Sequence, residues 1–233
     1  MNIRIGLPYL LAFFSFFFLL NECHDWIHFL VAAIPCGCFG SKGFENWTPC
    51  KGCIPSEVWL VIIWLSGPAL NYILIWAGWR LMDKSKSVRQ QSAGLSLLLV
   101  PLPLARILAA LSGGGDETYV MRMLFAHADN KHIAAISGLL LVLILTLPPL
   151  VRAFLRMPGW KAKFLWMPAM LYLPILIDHA VVRYILNPLL SKTTFSAQPL
   201  PGIPALVLVW GLCWLLLTVL TRKRLGTLLE KTS

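Results

Sequence analysis

The chain has 233 residues, of which 58% are hydrophobic and 13% charged, and its mean hydropathy is +0.74. Globular chains carry about 25% charged residues, so a soluble domain is excluded: this composition has too little polar surface to cover one. The net charge of +10, from 20 Lys and Arg against 10 Asp and Glu, gathers at the ends of apolar runs, where a membrane surface explains it and no nucleic acid is needed.

A membrane span takes about 20 apolar residues. That rule predicts helices over 6–34, 55–80, 93–112, 133–151, 164–187 and 202–221. The first run is too long for a plain span and lacks the small-residue cleavage site of a signal peptide, so it reads as retained. Six spans put both termini on one side. Counting Lys and Arg in the loops and tails gives thirteen on the side of the termini and five on the other (Lys42, Lys51, Arg122, Lys131, Lys192), so the termini are expected in the cytoplasm. Trp47, Trp59, Trp79, Trp160 and Trp166 read as interfacial anchors. The longest loops, 35–54, 113–132 and 188–201, hold no soluble domain, and no repeat or linker divides the chain. The expectation is one all-α, polytopic domain over 1–233 with six transmembrane helices, short loops and cytoplasmic termini.

Inside the first helix lies N-E-C-H-D-W-I-H, residues 21–28. Ionisable groups at membrane depth are expensive unless they are paired, metal-bound or facing water. His24 and His28 stand four residues apart, so they stack on one helix face and suit a shared metal ion. Asp25 follows the first histidine, where H-E-x-x-H sites carry the general base. The alternative is a pair of buried histidines hydrogen-bonded to neighbouring helices. His127 and His132 read as exposed in a polar loop.

The first outer loop carries C-G-C and C-K-G-C: Cys36, Cys38, Cys50 and Cys53. Three pairings are possible. Structural disulfides in an oxidising compartment are preferred, ahead of a redox relay and a four-thiolate zinc site. Cys23 and Cys213 read as buried thiols. N-W-T at Asn46 is a formal glycosylation sequon.

H-D-W-I-H-F-L-V-A-A resembles the first motif of the site-2 protease family of intramembrane zinc metalloproteases, with Asp in place of the usual Glu. In the next helix L-S-G-P-A-L-N-Y-I-L is similar to that family's G-P-x-x-N stretch, where Gly67 and Pro68 allow close packing and Asn71 a hydrogen bond across helices. The resemblance implies a third ligand from an Asp one helix later. Asp116, in G-G-G-D-E-T, matches by order, with Glu117 and Asp178 (P-I-L-I-D-H-A-V-V-R-Y) as rivals. It covers about residues 1–120, implying a metalloprotease-like three-helix core, with 121–233 as three further helices. It also implies Zn²⁺ held by His24, His28 and Asp116, Asp25 as general base, and a membrane-embedded polypeptide as substrate.

The predicted topology sends His24, His28, Asp116, Asp178 and the cysteine loop to the non-cytoplasmic side. Arg106 and Arg183 read as ion-paired or snorkelling within helices. The expected function is that of an intramembrane zinc metalloprotease-like hydrolase, active or degenerate, in a lipid bilayer such as a bacterial inner membrane. Two alternatives stand beside it: a thiol–disulfide redox protein using the loop cysteines, and a non-enzymatic accessory subunit that meets partner subunits.

Overall fold

Prolines and glycines decide where these apolar runs become helices. A computed structural model describes residues 2–126, 131–191 and 196–230. Strand β1 (Asn2–Ile3) precedes α1 (Leu7–Cys36), which opens on Pro8 and closes at Gly37 in the left-handed conformation, where the Gly37 N–H reaches Ala33 O at 2.9 Å. Tyr9, Phe13, Phe17 and Leu20 recur at helical spacing and are buried. Beyond α1 the cysteine loop forms a small hairpin, β2 (Ser41–Lys42) with β3 (Trp47–Thr48). Helix α2 (Glu57–Leu81) follows.

The third predicted span is two helices, α3 (Val88–Leu99) and α4 (Pro103–Leu111). It starts at 88 rather than 93 because Ser87 and Gln90 close a reciprocal capping box. It breaks at Leu102, which sits between Pro101 and Pro103 with φ +50°. Residues 116–124, expected as loop, form α5 (Asp116–Leu124). Its first turn carries Asp116 and Glu117 and its last Arg122, the order the helix dipole favours. Helix α6 (Lys131–Arg156) has His132 in its first turn, not in a polar loop, while His127 lies outside the described residues.

The fifth span runs from α7 (Gly159–Lys161) through α8 (Met167–Val181) to α9 (Asn187–Leu190). It is joined by π turns at Ala162–Trp166 and Val182–Leu186. Each wide turn closes just before a proline, Pro168 or Pro188, that has no N–H to give. Helix α10 (Ala205–Thr221) leads through a 3₁₀ turn (Arg222–Thr227) to β4 (Leu229–Glu230). Among the described residues six helices are long and apolar enough to cross a membrane, as expected of an integral membrane protein.

Packing joins α1 to α2 and α10, α2 to α3, and α6 to α4 and α5. Gly78 and Gly94 bring α2 and α3 into backbone contact: a Cβ on Gly78 would lie 2.5 Å from Gly94 O. On the face turned away from α1, α10 is exposed, and Cys213 is exposed there rather than buried. Arg152 and Ser85 hydrogen-bond Asp83 in the α2–α3 turn. The Ser85 bonds chiefly hold its carboxyl down to about 2.

The chain ends meet, β1 pairing with β4. Buried Ser92 pins the segment before β4: its Oγ accepts from the N–H groups of Leu228 (2.6 Å) and Leu229 (3.2 Å). Ser92→Ala strands both donors, so a loss of about 1–3 kcal/mol is expected. Thermal unfolding in detergent and proteolysis of the C-terminal segment would measure it. An unchanged melt would show that these bonds carry no net weight.

Candidate metal centre

The two histidines of α1 face α2, where Gly67 leaves room for them. A Cβ at Gly67 would lie 2.4 Å from His28 Nε2 and 2.7 and 2.8 Å from His24 Cε1 and Nδ1. The backbone of α2 thus passes directly beneath both rings. Pro68, next in line, withholds an N–H and crowds the preceding turn. In that turn Ile63 O also accepts from side chains, His28 Nδ1 at 2.6 Å and Ser66 Oγ at 2.7 Å.

Those partners fix the tautomers. Because Ile63 O only accepts, His28 Nδ1 carries its proton and Nε2 offers a lone pair. Arg106 only donates, and its Nη2 lies 3.1 Å from His24 Nδ1, so the His24 proton sits on Nε2. The two Nε2 atoms are 3.2 Å apart. Asp116 Oδ2, at the start of α5, lies 3.2 Å from His24 Nε2 and 3.8 Å from His28 Nε2. Burial raises the Asp116 carboxyl, but the hydrogen bond from His24 Nε2–H and the positive charge of Arg106 outweigh it and hold the group below the usual carboxylate range.

Around this cluster Arg106 acts as a clamp. Its Nη1 donates to Glu117 Oε1 at 2.8 Å, and Tyr72 Oη–H donates to the same oxygen. With its amide oxygen turned to Arg106, Asn71 accepts from Nη2 (2.7 Å) and Nε (3.2 Å). That oxygen then also stands 3.4 Å from His24 Nδ1. Glu117 is therefore held by Arg106 and Tyr72, while Asp116 approaches the histidines. Asp178 accepts from Asn21 Nδ2 at 3.1 Å and lies across α1 from the cluster.

On the other side of His24 is a cavity of about 160 Å³ lined by Asn21, Glu22, Asp25, Glu45 and Asp178. Asp25 faces it, with Oδ2 3.5 Å from Lys42 Nζ. Lys42 comes from β2, is 1% exposed, and also reaches Glu22 Oε2 at 3.5 Å and Gly43 O at 2.5 Å. Read from sequence as a loop cation, it is driven into the protein by the hairpin. Trp47 of β3, read as an anchor, stacks on His28 with ring centres 5.4 Å apart and planes at 15°. Neither contact has a local sequence signal.

Two disulfides, Cys36–Cys53 and Cys38–Cys50, tie the base of this hairpin loop. Cys36, Cys50 and Cys53 offer sulfurs within 4.8 Å of one another.

The His24, His28 and Asp116 ligand atoms likewise lie within 4.8 Å of one another. A tetrahedral zinc with ligands near 2.0–2.1 Å spaces them about 3.3 Å apart. The observed 3.2, 3.2 and 3.8 Å fit such an ion; ligation through His24 Nε2 would require its proton to move to Nδ1 and Arg106 Nη2 to turn from that nitrogen, leaving the Asn71 amide oxygen as its acceptor. Compared with known proteins, the chain matches no family model, no curated protein and no solved structure. What fold and site define is a class: an integral membrane protein with a two-histidine, one-aspartate cluster beneath a disulfide-tied loop.

Proposed function

We propose that this chain is an intramembrane metalloprotease-like hydrolase with a zinc site of His24, His28 and Asp116. One observation carries the reading: three ligand atoms converge at near-tetrahedral spacing over a backbone that Gly67 keeps clear. Two histidines and one carboxylate leave the fourth position open, the pattern of catalytic rather than structural zinc.

A bound zinc ion supplies Lewis acidity and a water whose pKa falls toward about 7. The chain's own residues do the rest. Asn71 and Ile63 O orient the two imidazoles. Asp25 is the general-base candidate; it faces the Lys42 cavity, so it would have to turn toward the metal side of His24 to take the proton from the attacking water and return it to the leaving amine. In the structure Lys42 pairs with the Asp25 carboxylate at 3.5 Å. The substrate is a membrane helix that unwinds locally, since a regular helix engages its carbonyls in its own hydrogen bonds. The asymmetry of Lys and Arg supports cytoplasmic termini and a non-cytoplasmic cysteine loop in a bacterial inner membrane.

The test is cleavage of a membrane-helix reporter in proteoliposomes. Asp25→Asn is expected to slow cleavage by about 10²–10⁴-fold while zinc stays bound. Undiminished cleavage would remove Asp25 from the mechanism, and no cleavage by the native chain would remove the hydrolase.

A further inference from the structure

The end of the bundle opposite the histidines carries a second site, independent of the first. We propose that the basic cleft between α1, α3 and the turn after α10 holds the phosphate headgroup of an anionic diacyl phospholipid, with its chains along α10. Two cavities of about 270 and 470 Å³ meet there, sharing Arg224 and Thr227. Arg4 lines the first, and Arg89 and Lys223 line the second. No acidic side chain lines either cavity among the described residues.

The cations are mounted on a fixed frame. The Arg4 N–H donates to Leu228 O at 2.9 Å, and Ser92 holds the N–H groups of Leu228 and Leu229. Gly226 lies against the Arg89 side chain, where a Cβ would come within 2.7 Å of Cγ. Arg89, Lys223 and Arg224 bring like charges together in the second cavity, and an anion shared among them relieves their repulsion. Basic pockets between transmembrane helices take phospholipid headgroups for this reason.

The apolar half of the ligand is indicated by α10. Leu212, Leu216 and Leu220 recur every four residues, so they form one stripe, and they are 63%, 60% and 70% exposed. The stripe ends at the cleft, because Leu220 lines it beside Lys223 and Arg224. A free phosphate satisfies the cations but leaves the stripe unused. A phospholipid satisfies both.

Native mass spectrometry of the full chain in detergent tests this, with phosphatidylglycerol and phosphatidylcholine of identical chains as probes. Phosphatidylglycerol is expected to stay bound where phosphatidylcholine does not. Arg89→Gln/Arg224→Gln should weaken retention by roughly fivefold per charge removed, whereas Arg89→Lys/Arg224→Lys keeps it and shows that folding is intact. Lys84→Gln/Lys86→Gln removes two exposed charges from the neighbouring α2–α3 turn and should leave retention unchanged. Equal retention of both lipids, an equal loss in the Lys84/Lys86 variant, or loss in the lysine pair overturns the site. Displacement of the lipid by millimolar inorganic phosphate would assign the cleft to free phosphate instead.

Discussion

Gly67→Ala is expected to abolish metal binding as completely as His24→Ala/His28→Ala. The added methyl has nowhere to go: it would stand 2.4 Å from His28 Nε2 and under 3 Å from two atoms of the His24 ring. Both rings sit on the same face of α1, one turn apart, and cannot retreat without unpacking it from α2. In an exposed helix Gly→Ala stabilises by about 1 kcal/mol, so lost metal cannot be ascribed to a weakened α2. Elemental analysis of protein purified without chelators gives the answer. About one zinc per chain in the native protein, and none in either variant, is the expected result. Zinc that survives the double histidine change would move the site to the loop cysteines. A native chain with no metal would overturn the zinc site and the hydrolase with it.

Lys42→Met is expected to be the most destabilising single change in the cysteine loop. The ammonium is shielded from solvent and bridges Glu22 and Asp25. Removing one member of a buried ion pair leaves the others uncompensated and costs about 3–5 kcal/mol. Here two carboxylates would lose the same partner beside Glu45 and Asp178, which share their cavity. The expected outcome is a lower melting temperature and a loop open to protease, with both disulfides still formed. Adding Glu22→Gln and Asp25→Asn should restore most of the loss, since the charges left unpaired are then neutral. A triple variant as unstable as Lys42→Met would show that Lys42 acts through packing alone.

Much of the architecture was legible because it follows from local rules. Runs of about 20 apolar residues announced six spans, and six such helices are present among the described residues. The early start of α3 was also readable, since Ser87 and Gln90 stand at capping-box spacing. The break at Leu102 was signalled by Pro101 and Pro103, yet a hydropathy count runs through it because every residue there is apolar. Helix α5 was hidden for the opposite reason: D-E-T-Y-V-M-R-M-L is too polar for a span, although its charges follow the helix dipole.

For the centre itself, the sequence by itself determined the two histidines and their shared face, because a spacing of four is a property of one helix. It also left Asp116, Glu117 and Asp178 as candidate partners and allowed three cysteine pairings. Only the tertiary structure decided that Asp116 meets the histidines while Arg106 and Tyr72 hold Glu117, that Gly67 clears the space, and that Cys36 pairs with Cys53 and Cys38 with Cys50. Lys42 was settled the same way, as a buried counter-ion rather than a surface cation. The physical reason is range. Helix periodicity, capping and hydropathy act over a few residues, whereas the Lys42–Asp25 and His24–Asp116 pairs join side chains 17 and 92 positions apart, and only the packing of α1, α2, α5 and the hairpin brings them within reach.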